Sequence, residues 1–182
     1  LHTLMFYNAI ANGGVMVQPH IVEKVKEYDR TVDSTVTTVL NPKLLSEHTV
    51  KQLQEILTGV VENGTATNLR TDYLSIAGKT GTAVIAQGNQ GYKKRIYQAS
   101  FCGYFPAEAP EYTMIVVINS PGTNGYYGNV VAGSIFREVA DKVYSLSLDM
   151  HNSVNAGVAQ NSVPAIAKGH VEDLKRIYEF FG

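Results

Sequence analysis

At 182 residues the chain is long enough for one domain with a real core and too short for two large ones. Hydrophobic residues make up 45% and charged residues 17%, which argues against wholesale disorder, and 15 Lys plus Arg against 16 Asp plus Glu give a formal charge of -1 that lends a nucleic-acid reading little support. A single cysteine excludes an internal disulfide framework and any cysteine-based zinc site.

Read in chain order, residues 1–12 place Leu4, Met5, Ala9, Ile10 and Ala11 on a helical face. Asn12-Gly13-Gly14 stops that helix, because glycine accepts the left-handed conformation at a helix end. Residues 15–40 combine Pro19, Ile21-Val22 and a Thr- and Val-rich run over Thr31–Val39, which predicts a hairpin or two exposed strands. Asn41-Pro42 breaks the pattern and Ser46 is placed to cap the next helix. Val50, Leu53, Ile56, Leu57, Val60 and Val61 then recur at three- and four-residue spacing up to Asn63-Gly64. A strand is predicted from Leu74 through Ala83, and a loop over 86–95 around Lys93-Lys94-Arg95. Another strand covers Tyr97–Phe105 and stops at Pro106, and Tyr112–Ile118 reads as an apolar, buried strand. Short connections make these antiparallel partners. After a turn-rich loop over 120–129, a final helix from Val130 to Tyr144 carries a stripe including Ala132, Phe136 and Ala140, wide enough to cover one face of a sheet.

Residues 149–162 read as a linker, and Leu174, Ile177, Tyr178 and Phe181 give the last twenty residues a helix-like face. No run of about 18 apolar residues occurs, and no basic-then-apolar leader opens the chain. It begins at Leu1 rather than Met and runs at once into helical text, so the expectation is a piece of a longer protein.

The chemistry concentrates in Ala77-Gly78-Lys79-Thr80-Gly81-Thr82-Ala83. Alternation puts Lys79 and Gly81 on one face of a strand, with Thr80 and Thr82 on the other. On an edge strand such a segment can pair with the backbone of a peptide. Its ammonium and hydroxyl donors suit a carboxylate, and a backbone N–H beyond Gly81 can meet a developing oxyanion. The plainer reading is a strand with a tolerated glycine and an exposed lysine. A nucleotide reading rests on Gly78-Lys79-Thr80 as the end of a phosphate loop, but Tyr73 stands where its first glycine belongs and no helical period follows. Gly122-x-x-Gly125-x-x-Gly128 lacks the start of a dinucleotide fingerprint and reads as a turn. His2, His20, His48, His151 and His170 show no ligand spacing, so no metal or cofactor is expected. Cys102, between Phe101 and Gly103, reads as a small buried hydrophobe.

Lys79-Thr80-Gly81-Thr82 is one of the marks of penicillin-binding proteins and serine β-lactamases. Four further blocks follow that family's order: Tyr7–Gly14 with Pro19–Val22, Val60–Ala66, Ser100–Pro106 and Tyr112–Ile118. Residues 1–146 thus resemble the C-terminal half of the transpeptidase domain of a class B, high-molecular-weight penicillin-binding protein. The resemblance implies an incomplete transpeptidase fold of the mixed α/β (α+β) class, with three antiparallel strands of the main sheet and flanking helices. It divides the chain into the transpeptidase portion over 1–148, a linker over 149–162 and a tail over 163–182. That tail resembles the start of a PASTA repeat, with a generic helical tail as the alternative.

The activity implied is that of a peptidoglycan D,D-transpeptidase, which crosslinks stem peptides through a serine acyl-enzyme and binds penicillin. Lys79 and Thr82 are implied as catalytic, and Lys79, Thr80, Gly81 and Thr82 as substrate-binding. Lys79 would draw in the terminal carboxylate, the Thr80 and Thr82 hydroxyls would hold it, and Gly81 would leave room for the substrate. The Thr82 N–H would be one of two oxyanion donors. The departures concern the nucleophile: no serine has lysine three residues on, and Ser-x-Asn occurs only at Ser153-Val154-Asn155, after Lys79 rather than before it. Gly133-Ser134-Ile135-Phe136 also replaces the family's Ala-Pro ahead of the helix phenylalanine.

The implied partners are stem peptides, β-lactams and the missing N-terminal part of the same protein, with no nucleic acid. A second copy could pair with an exposed sheet edge if Tyr112–Ile118 has lost its neighbour. The implied location is the extracytoplasmic (periplasmic) face of the bacterial cytoplasmic membrane, anchored by an N-terminal segment absent from this chain. A non-catalytic penicillin-sensing receptor shares the fold and is the alternative.

Overall fold

The computed structural model describes residues 1–86, 96–121, 127–147 and 150, with residues 172, 175, 176, 179 and 180 in the tail. Contacts divide the chain into Leu1–Met150 and His151–Gly182. In the second unit the five described residues are helical and exposed, whereas the linker, Ser153-Val154-Asn155 and the tail's apolar face lie outside the described residues.

Helix α1 spans His2–Ala11 and stops where predicted, with Gly13 and Gly14 at φ +65° and +92°. Residues 16–41 form four short strands: β1 (Met16–Val17), β2 (Lys24–Glu27), β3 (Arg30–Ser34) and β4 (Val39–Asn41). β2 and β3 make an exposed hairpin, and β1 pairs with β4 at its base. The expected Thr31–Val39 strand is therefore broken at residues 35–38.

Ser46 caps α2 (Glu47–Glu62), its Oγ accepting the Thr49 N–H at 3.1 Å. A short 3-10 turn, η1 (Thr67–Leu69), follows.

The main sheet contains β5 (Ala77–Ile85), β6 (Ile96–Phe105) and β7 (Tyr112–Asn119), antiparallel and in that order, so β5 and β7 are both edges. β5 begins three residues later than predicted, because Leu74 is held in a turn: its N–H and C=O both bond the Thr71 hydroxyl. Ser75 then ties the entry of β5 to the end of β6, accepting the Ala107 N–H at its Oγ (2.9 Å) and its carbonyl (3.1 Å). Helix α3 spans Gly128–Leu146 and starts two residues earlier than predicted.

Alternation along β6 builds two cores. Phe101 and Phe105 meet Phe136 of α3, with ring centroids 4.7 and 5.8 Å apart in edge-to-face geometry. Val61, Leu69, Ile76, Ala132 and Ala140 complete this cluster. Tyr104, between the two phenylalanines, joins Ile10 of α1, Leu57 of α2 and Ala77 in a second cluster. α2 thus serves both clusters and flanks the start of β5. The expectation of a buried β7 is corrected: none of its residues is buried, since α3 covers part of one face and, among the described residues, no strand pairs with its outer edge.

Candidate functional site

β5 places the motif at a sheet edge, with Gly78 buried, Thr80 and Gly81 half-buried, and Lys79 and Thr82 exposed. An edge strand leaves alternate backbone N–H and C=O groups unpaired on its outer side. Gly78-Lys79-Thr80 is extended strand paired to Gly103, Cys102 and Phe101, and the strand continues to Ile85. A phosphate loop needs a turn that leads into a helix, so the nucleotide reading is overturned.

Lys79 and Thr80 leave the strand on opposite faces, yet their polar ends meet. The long lysine stem folds around the edge, and Nζ donates to Thr80 Oγ1 at 2.9 Å and to the Thr80 carbonyl at 3.2 Å. Thr65, just past α2, brings its Oγ1 to 3.4 Å from Thr80 Oγ1. One ammonium and two hydroxyls therefore stand together at the rim. Lysine has only donors and each hydroxyl can turn its proton outward. Such a group suits an anion, and a carboxylate above all.

Thr82 is held differently. The first turn of α3 has no side-chain cap of its own. The Gly128 N–H, one of the donors a helix start leaves unpaired, instead reaches Thr82 Oγ1 at 3.3 Å. Thr82 accepts that bond and keeps its own O–H free to donate. Two asparagines fix the same helix start: Asn68 Nδ2 donates to the Asn129 carbonyl at 2.8 Å, and Asn129 Nδ2 to Asn68 Oδ1 at 3.4 Å. Arg137 Nη1 adds a bond to the Asn68 carbonyl at 3.0 Å. Lys79, Thr80, Gly81 and Thr82 thus follow one another along the outer edge of β5, with Lys79 and Thr80 joined by their hydrogen bond and Thr82 tied instead to the start of α3. Thr65, Asn68, Ser100, Gly128 and Asn129 support it, and none of them was given a role in the site from sequence. A glycine opening a helix without a capping side chain was the available signal for Gly128.

Cys102 lies behind Lys79 in the register and is buried. Burial pushes its thiol up to about 12, which keeps it neutral and unreactive. Among the described residues no group of three or more His, Cys, Asp or Glu could hold a metal ion. The Lys93–Arg95 run and the first two glycines of the 122–128 spacing lie outside the described residues.

Comparison with known proteins follows the same lines. The profile of the family described as penicillin binding protein transpeptidase domain matches residues 1–141. Penicillin-binding protein H of Bacillus subtilis is 30% identical over 141 residues, which are 72% of this chain and 20% of that protein. A probable peptidoglycan D,D-transpeptidase, PenA, of Neisseria flavescens is 35% identical over 99 residues, covering 53% of this chain and 24% of the relative. The chain thus spans about a fifth to a quarter of the length of these curated relatives. Among solved structures, the D,D-transpeptidase domain of a peptidoglycan glycosyltransferase from Eggerthella lenta superposes with a TM-score of 0.60 at 30% identity, over 79% of this chain and 32% of that one. Penicillin-binding protein A from M. tuberculosis, as its imipenem acyl-enzyme complex, gives a TM-score of 0.61 at 25% identity, over 76% of this chain and 29% of that one.

Proposed function

Since the chain belongs to the penicillin-binding protein transpeptidase family, we propose that it is the substrate-gripping C-terminal portion of a peptidoglycan D,D-transpeptidase. The carrying observation is the rim itself: Lys79 Nζ and Thr80 Oγ1 of edge strand β5, joined there by Thr65 Oγ1. The rim receives the free carboxylate of a stem peptide, or the carboxylate by which a β-lactam imitates it. The outer backbone of β5 pairs with the peptide.

A serine from outside these 182 residues then attacks the carbonyl preceding the terminal D-alanine. The new C–O bond forms as the C–N bond breaks, and the released amine takes the serine's proton. The Thr82 N–H stabilises the oxyanion that develops on the way. An amine from a second stem peptide resolves the acyl-enzyme into a crosslink. In a β-lactam the departing nitrogen stays tethered, so the acyl stage persists. The reaction takes place on the extracytoplasmic side of the membrane; among the described residues no helix is long and apolar enough to cross it.

Fluorescent penicillin tests this reading. The complete protein that carries the chain is expected to be labelled covalently, and the isolated 182-residue chain is not. Labelling of the isolated chain would overturn the assignment of the nucleophile. A penicillin sensor would be acylated equally but would form no crosslinked product from stem peptides, so a crosslinking assay separates the two roles.

A further inference from the structure

Gly81 stands directly opposite Ser100 in the β5–β6 register. A Cβ built at position 81 would run into Ser100 Oγ, and beyond its own chain neighbours the only other atom of the described residues within 4 Å of it is Ser100 Cβ, at 3.8 Å. The space usually credited to a substrate is therefore already taken by one hydroxyl of the neighbouring strand. That hydroxyl is half-buried and donates to the Gly81 carbonyl at 3.5 Å. The rung is also closed by the start of α3. A Cβ at Gly128 would lie 2.5 Å from the Ser100 carbonyl oxygen and 2.7 Å from that of Gly81.

We propose that Ser100 is a positioning residue for the reaction, and that it, rather than the substrate, dictates glycine at position 81. The Gly81–Thr82 edge rests against the Ser100 hydroxyl and is hemmed in by Gly128. The Thr82 N–H is thereby held at one position for the transition state, where small displacements are costly. This rests on the transpeptidase reading above, because only that reading gives the Thr82 N–H its task.

The test is a pair of substitutions and their combination in the complete protein, followed by acylation with a chromogenic β-lactam. Gly81→Ala alone sets a methyl against Ser100 Oγ, so that the hydroxyl must turn off the Gly81 carbonyl or the strand edge must move outward, and the first-order acylation constant should fall by about 100-fold. Ser100→Ala alone removes the support and should cost about 3-fold. In Gly81→Ala/Ser100→Ala the new methyl meets only the Cβ at position 100, an ordinary contact, so acylation should return to within about 3-fold of Ser100→Ala. The dissociation constant of the non-covalent complex should change far less than the acylation constant in Gly81→Ala, by no more than about 10-fold, since Lys79, Thr80 and Thr65 keep their places. A merely structural defect would move both constants together.

A double variant that is folded yet as slow as Gly81→Ala would overturn the proposal, as would a Gly81→Ala variant as fast as wild type. If Gly81→Ala does not fold, a double variant that folds and acylates supports it, and one that stays unfolded sinks it. Failure of wild type to acylate would instead sink the functional reading. The melting temperatures of Gly81→Ala and the double variant would then decide the steric claim alone.

Discussion

At the scale of single residues, the rim depends on charge and hydroxyls placed within hydrogen-bonding distance of each other. Lys79→Ala removes the ammonium that orients Thr80. A lost charge-assisted hydrogen bond is worth about 1.5–3 kcal/mol, so the non-covalent affinity of the complete protein for penicillin should fall by about 10- to 100-fold. An esterified penicillin, which has no carboxylate to hold, should show no such loss, and equal losses for both compounds would refute the assignment.

Tyr104 makes a different statement. Its ring is fully buried and its OH has no hydrogen-bond partner among the described residues. Tyr104→Phe should therefore raise stability by about 1 kcal/mol in a urea titration. Burial pushes both Cys102 and Tyr104 up to about 12 from 9.0 and 10.0. The unfolded chain then gives up protons that the folded chain keeps. Stability should be flat below pH 9 and decline between about 9 and 12. The Phe variant should lose less than wild type over that window.

At the scale of elements, the repeating features were legible in the chain and the cross-chain ones were not. Ser46 and the three- and four-residue spacing of Val50, Leu53, Leu57 and Val61 announce α2, and Ser46 caps it. Ser46→Ala should cost about 1 kcal/mol by denaturant titration; a change below about 0.3 kcal/mol would show that Thr49 finds another acceptor. The start of β5 was misplaced because the Thr71 hydroxyl holds Leu74 in a turn, and a β-branched, apolar stretch carries no sign of that bond. α3 was started too late for a related reason. Its first N–H is satisfied by Thr82, 46 positions earlier, where a cap search along the local sequence does not look. β7 was misjudged because apolar composition reports what a strand prefers to bury, not what the neighbouring chain supplies. The four residues of the rim were legible as one group. The partners that hold them belong to α3, η1 and β6, and only the folded chain brings them together.

At the scale of the whole molecule, the two edges of the main sheet differ in kind. β5 carries an exposed lysine and two threonines, which discourage indiscriminate pairing. β7 presents Met114, Ile115, Val116, Val117 and Ile118 beside an outer edge that no strand of the described residues pairs with, and Val117 is 45% exposed. The isolated chain should self-associate through that edge, and sedimentation should find dimers or larger species. Val117→Lys should shift it toward monomer, because a charge on a strand deters edge pairing. A wild-type chain that sediments as a monomer at all concentrations would contradict this.

The bond from Gly128 to Thr82 also has a consequence for the order of events during synthesis. A nascent chain that has reached residue 121 already contains all three strands of the main sheet, but not the helix start that fixes Thr82. Newly made protein should thus pass through a stage with these strands present and Thr82 not yet held by the start of α3. Thr82 reaches its final setting only after α3 has left the ribosome.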